Sequence, residues 1–186
     1  MPFLSEPEQF ALLQLARRSI EEAVSRDTVL EDIPQMGIFA QPAGAFVTIH
    51  VRGRLRGCIG VVEAVEPLGE CVVHCAASAA RQDPRFSPVE SFELAEMTLE
   101  ISLLSPPEAI RPDEIQVGYH GLLVAEGSRR GLLLPQVALE HQLTREQFLE
   151  ETCRKAGLPL DAWTKPETKI FAFTCEIVSE PRKPPA

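Results

Sequence analysis

The chain contains no apolar run approaching the ~18 residues that a membrane span needs, so no transmembrane segment is expected. It is short of positive charge: 18 Lys and Arg stand against 27 Asp and Glu, a formal net charge of −9. Nucleic acid and anionic membrane surfaces demand basic faces, so general binding to either is not expected. Aromatics are scarce too, with one Trp and one Tyr in 186 residues, which leaves few platforms for stacked bases. Residues 1–13 lack the basic start and long apolar stretch of a secretory signal. No Gly-rich loop ending in Gly-Lys-Ser/Thr, no G-x-G-x-x-G after a strand, no H-E-x-x-H and no G-x-S-x-G is present. Their absence argues against nucleotide hydrolysis, dinucleotide binding, zinc proteolysis and serine hydrolysis. The five cysteines are odd in number and irregularly spaced, which favours reduced thiols and a cytoplasmic location over a disulfide framework.

What is present is an alternation of helical and strand patterns without repeats or low-complexity tracts. Ser5 and Glu8 have the spacing of a capping box. Phe10, Leu13, Ala16, Ile20 and Val24 then predict a helix. "AFVTIHV" alternates as a strand and is joined through Gly53 to a second strand, which predicts a hairpin. "PLGECVVHCAASAAR" predicts a helix with Pro67 in its first turn, and "MTLEISLL" a strand ended by Pro106 and Pro107. "GLLVAEGSRRGLLLP" predicts a second hairpin, Thr144 with Gln147 a second capping box, Gly157 a helix end, and "TKIFAFTCEIV" one last strand. Short connections favour antiparallel pairing. The expected fold is therefore α+β, an antiparallel sheet with helices, in one domain over residues 1–180, with a fraying Pro-rich tail over residues 181–186.

"CVVHCAAS" imitates the start of an iron–sulfur motif, but its third position is Ser78, and Cys71, His74 and Cys75 would need further ligands to hold zinc. An amphipathic helix with core-facing thiols explains the segment, and no metal set is assigned. The run "HVRGRLRGCIGVV" is more telling. Strict strand alternation would put Arg54, Arg56 and Cys58 on one face and Leu55, Ile59 and Val61 on the other. Guanidiniums beside a thiol favour its nucleophilic thiolate form. The competing reading is a solvated arginine face with a small buried thiol.

With these residues in view, the chain resembles the AMMECR domain family, whose stand-alone prokaryotic members are the A proteins of the AmmeMemoRadiSam system. The hallmark "LRGCIG" spans Leu55 to Gly60 without mismatch. "GAFVTI", "AAxxDPRFxP", "LEISLLS", "GYHGLLV", "LLPQVA" and "CRKAGL" follow as further blocks in family order. The resemblance implies an α+β fold with a larger and a smaller lobe and a cleft near the hallmark. It implies partners as well: a Memo-like, dioxygenase-related protein and a radical-SAM protein. It names no reaction and no cofactor.

Cys58 is the candidate nucleophile or ligand contact, with Arg56 and Arg54 as anion-binding neighbours. His120, between glycines in "GYHG", is a candidate general base, with His50 as its rival. Asp83 and Arg85 of "DPRF" can form an anion site in which Asp orients Arg, or a loop lock with Phe86 as a plug. Glu100 faces away from Leu99 and Ile101, toward either a cleft or water. Two functions fit: a thiol-dependent enzyme acting on a small molecule or peptide, or a non-catalytic module presenting such a ligand to the partners.

Overall fold

The computed structural model describes residues 4–181. All but the first residue of the expected tail, residues 182–186, lies outside the described residues. The described residues divide into two compact units, residues 4–104 with 176–181 and residues 105–175, each with its own four-stranded sheet. The architecture is α+β, as expected, with the strands shared between two sheets.

In the first unit, helix α1 (Glu6–Arg26) precedes strands β1 (Gly44–Val51) and β2 (Arg54–Val61). Helix α2 (Leu68–Arg81) and strand β3 (Met97–Leu104) follow, and the sheet is completed by β8 (Cys175–Ser179) in the order β2-β1-β3-β8. The Ser5 amide and hydroxyl both donate to the Glu8 carboxylate, at 2.9 and 2.6 Å, and these bonds hold its pKa below the ordinary value. The buried stripe of α1 includes Leu12, Leu13, Ala16, Ser19, Ile20 and Ala23, and the Ser19 hydroxyl donates to the Val73 carbonyl at 2.7 Å. Phe10, expected on that stripe, is 65% exposed. Each i,i+3 step falls ~60° short of a full turn, so two such steps carry Phe10 ~120° away from Ala16.

Both helices meet the same sheet face: Ile20 of α1, Val72, Ala76 and Ala79 of α2, and Val47, Ile49, Leu99 and Ile101 of the strands share one core. The β1–β2 turn is Arg52-Gly53, with φ of 52° and 73°, the two left-handed positions of a type I′ hairpin. Gly57 faces α2 so closely that a Cβ there would lie 2.2 Å from the Ala79 carbonyl oxygen.

The second unit contains β4 (Glu108–Ala109), β5 (Gly121–Glu126), β6 (Arg129–Leu133), α3 (Pro135–Glu140), α4 (Arg145–Lys155) and β7 (Lys169–Phe173). Its sheet runs β4-β7-β5-β6, and its core joins Phe148, Leu149 and Cys153 of α4 to Leu122, Val124 and Ile170. The Thr144–Gln147 capping box forms both of its bonds, at 3.2 and 2.9 Å. The single last strand expected from "TKIFAFTCEIV" is two strands in different sheets. The break falls at Thr174, whose N–H donates to Ser105 Oγ at 2.9 Å and whose carbonyl accepts from the Ser105 N–H at 3.0 Å. Among the described residues, no helix is long and apolar enough to cross a membrane.

Candidate functional site

The hairpin turn alone would pair Val51 with Arg54, His50 with Leu55, and so on to Val47 with Cys58, aiming the thiol at the helices. The observed register shifts between Ile49 and His50, where Ile49 opposes Gly57 but His50 opposes Leu55. Arg56 is the extra residue of a β-bulge. A one-residue shift exchanges the two faces of a strand. Cys58 therefore opposes Thr48, on the outer face of the sheet with Phe46 and His50.

This corrects the expected alternation. Arg54 opposes Val51, on the face opposite Cys58, and Leu55 lies on the Cys58 side, 42% exposed. Arg56 is engaged elsewhere: it donates to both Glu93 carboxylate oxygens at 2.8 and 2.9 Å and to the Ser87 and Pro88 carbonyls at 2.6 and 3.0 Å. The same contact holds the Glu93 pKa below its usual value. Arg56 thus ties the bulge to the loop beyond α2. Arg56→Ala should cost about 2–3 kcal/mol, because the half-buried Glu93 loses its cation. Urea unfolding of the variant checks this; a midpoint unchanged from wild type would show that the bulge holds without the tie.

The cation beside Cys58 is Arg85. The Asp83 carboxylate, 4% exposed, accepts four bonds: from the Cys58 N–H (2.8 Å), the Arg85 N–H (3.1 Å), and Arg85 Nε and Nη2 (2.9 and 2.6 Å). Arg85 Nη2 also donates to the Cys58 carbonyl at 3.2 Å. Together Asp83 and Arg85 satisfy the N–H and C=O that Cys58 presents at the free edge of β2, where a further strand would otherwise bond. The Arg85 contact holds Asp83 well below the usual carboxylate range. Asp83 in turn raises the Arg85 pKa, with a smaller contribution from the Cys58 side chain. The guanidinium also lies 5.4 Å from the Phe86 ring centroid. Asp83 is thus buried and fully engaged within the protein, while the Arg85 side chain is 54% exposed.

The Cys58 sulfur is half-buried and accepts a hydrogen bond from Thr48 Oγ1 at 3.2 Å. Across the next strand Thr48 opposes Glu100, so Cys58, Thr48 and Glu100 form one row across the outer face. His50 stands one pair further along that face, opposite Leu55 and Thr98. Thr48 is the site residue that sequence reasoning missed. Its signal was a polar residue alternating with Val47 and Ile49, but the register that pairs it with Cys58 depends on the bulge.

His120 belongs to the second unit, in the turn before β5. Its Nδ1 accepts from the Gln116 N–H at 3.1 Å and its ring lies 5.0 Å from Tyr119; burial lowers its pKa. With Nδ1 so engaged, neutral His120 carries its proton on Nε2 and presents a donor. Cys71 and Cys75 are buried on α2, and the contact with Cys71, reinforced by burial, pushes the Cys75 thiol up. Among the described residues, no three His, Cys, Asp or Glu side chains gather to hold a metal ion.

The AMMECR1 family profile matches residues 13–178. A protein of Methanothermobacter thermautotrophicus is 44% identical over 95% of this chain and 96% of its own length. Protein TK0174 of Thermococcus kodakarensis is also 44% identical, over 93% and 91% of the two chains. The crystal structure of uncharacterized protein PH0010 from Pyrococcus horikoshii matches with a TM-score of 0.83 at 41% identity, covering 94% of this chain and 93% of that one.

Proposed function

The chain belongs to the AMMECR1 family, and from that premise we propose that its first unit carries a thiol-dependent group-transfer site with Cys58 as nucleophile. The observation behind this reading is the bulge that turns Cys58 out of the core and onto Thr48, beside an arginine clamped by a buried acid. Thr48 Oγ1 donates to the sulfur, and the Arg85 guanidinium is bonded to the carbonyl of the same residue. In the proposed step the thiolate attacks an electrophilic carbonyl carbon, the S–C bond forms, and the leaving group departs with its bonding pair and takes a proton from water. Hydrolysis of the thioester restores the thiol. Arg85 offers its exposed edge to an anionic group of the substrate, and Asp83 holds Arg85 and the Cys58 amide in place.

We place this step, as part of the same reading, in a system with Memo-like and radical-SAM proteins. The ordered family blocks and the hallmark support that setting. A second reading, a module that presents a ligand to those partners, is favoured by the exposure of Leu55 at 42% and Phe92 at 72%. Cys58→Ser separates the two: a presenting module keeps its partner contacts and supports the assembled system, whereas a thiol enzyme keeps the contacts and loses turnover.

The thiol reading has a direct test in alkylation by iodoacetamide at pH 7, followed at Cys58 by peptide mass, with the half-buried Cys175 as internal comparison. Thr48→Val and Arg85→Gln should each slow Cys58 about fivefold, the equivalent of ~1 kcal/mol, and leave Cys175 unchanged. Equal rates at Cys58 in all three proteins would remove the proposed activation.

A further inference from the structure

The free edge of β2 is closed at Cys58 and open two residues further on. Cys58 directs its N–H to Asp83 rather than to β1, so Thr48 and Cys58 are a non-hydrogen-bonded pair of the β1–β2 ladder. The register runs unbroken from there to Phe46 opposite Gly60, so Gly60 also turns its N–H and C=O to the free edge. The loop beyond α2 serves one side only: Asp83 and Arg85 meet the strand at Cys58, and Ser87 and Pro88 meet Arg56. On the other side, neither backbone group of Gly60 bonds to any described residue. Gly60 is half-buried, and Val61 beside it is 36% exposed. A cation stands where the loop stops. Arg85 bonds Asp83 through Nε and Nη2 and Cys58 through Nη2, and its Nη1 bonds to no described residue.

We propose that this open edge binds the C-terminal end of an extended peptide as an added antiparallel strand, with its terminal carboxylate on Arg85. The direction follows from the position of the cation. Strands advance ~3.4 Å per residue, so Cys58 lies ~7 Å along the edge from Gly60. An antiparallel peptide whose penultimate residue exchanges both bonds with Gly60 ends one residue later, at the guanidinium that bonds the Cys58 carbonyl. A parallel peptide would turn its N-terminal ammonium toward the same cation. A Cβ at Gly60 would lie 2.3 Å from the Phe46 ring, so that ring crosses the outer face of Gly60, beside the place of the penultimate side chain. An apolar residue is favoured there. The inference shares Arg85 with the thiol reading and gives its anion a chemical class, but it concerns binding and does not depend on the reactivity of Cys58.

The test uses the full chain and fluorescein-labelled hexapeptides ending in Leu-Ala, followed by fluorescence anisotropy. Converting the terminal carboxylate to an amide should weaken binding about fivefold. N-methylation of the penultimate nitrogen removes the donor to the Gly60 carbonyl and should weaken it by a similar factor. Glycine in place of the penultimate leucine should weaken it about threefold. Arg85→Gln should weaken the acid about fivefold and leave the amide unchanged. By NMR, the peptide should protect the Gly60 N–H from hydrogen exchange.

Equal affinities of the acid and the amide in wild type would overturn the proposal, as would equal affinities of the N-methylated and parent peptides. So would an absence of binding by the leucine peptide at millimolar concentration. If the peptides bind as expected but Cys58 is alkylated no faster in wild type than in Thr48→Val and Arg85→Gln, the thiol reading falls and the docking edge stands.

Discussion

Gly57→Ala should destabilise the first unit by about 3 kcal/mol, the upper end for overpacking. The added methyl would lie 2.2 Å from a helix backbone oxygen rather than from a side chain that can swing away. Ala79 sits in the last turns of α2, in the core shared with Val47 and Ile49, so relief requires α2 and β2 to separate. That movement strains the bulge at Arg56 and with it the face on which Cys58 stands. The expected result is a lower urea midpoint by circular dichroism, accompanied by slower alkylation of Cys58 in the folded protein. Gly53→Ala, with open space around its Cβ, should cost only the ~1 kcal/mol of a left-handed turn position. Equal losses for the two variants would contradict the close approach of strand and helix.

Asp83→Ala is expected to cost about 2–3 kcal/mol at pH 7, because the half-buried N–H of Cys58 and the clamped side of Arg85 lose their acceptor together. The pH dependence follows from the depressed pKa. In the unfolded chain Asp83 titrates near the usual ~3.9, and in the folded chain well below it. Its contribution is fully present above the unfolded value and declines as pH falls below ~4 toward the folded value. The stability gap between wild type and Asp83→Asn should therefore be widest near neutrality and narrow below pH ~4. A gap that stays constant from pH 7 into strong acid would mean that the carboxylate charge does not hold the clip.

Much of the fold could be read from periodicity, because α1, α2, β1 and β3 each bury one face against a single core and repeat accordingly. The two capping boxes were legible for a similar reason: both partners lie within one turn. Phe10 misled because apolar character alone does not fix an angle on a helix. The division of the last strand at Thr174 was hidden, since its cause is a pairing with Ser105, 69 residues away.

At the site, the segment was legible and its geometry was not. Alternation pointed to Arg54 and Arg56 as the cations beside Cys58, but a bulge leaves no mark in periodicity. It is stabilised by Glu93, Ser87 and Pro88, all more than 30 residues downstream. Asp83 and Arg85 were recognisable as a pair from Asp-x-Arg spacing, yet only the folded chain shows them closing the edge of β2 at Cys58. Glu100 could be assigned to the face away from Leu99 and Ile101, and the strand order then aligns it with Thr48 and Cys58.

The central claim is that folding activates Cys58 rather than merely enclosing it. The most direct measurement compares iodoacetamide alkylation of Cys58 at pH 7 in the native protein and in the urea-unfolded chain, read by peptide mass. A thiol activated by Thr48 and Arg85 reacts faster in the native protein than in the unfolded chain, against the trend of the buried Cys71, Cys75 and Cys153. A Cys58 that is slower when folded, protected like those three, would make it a packing residue and contradict the account.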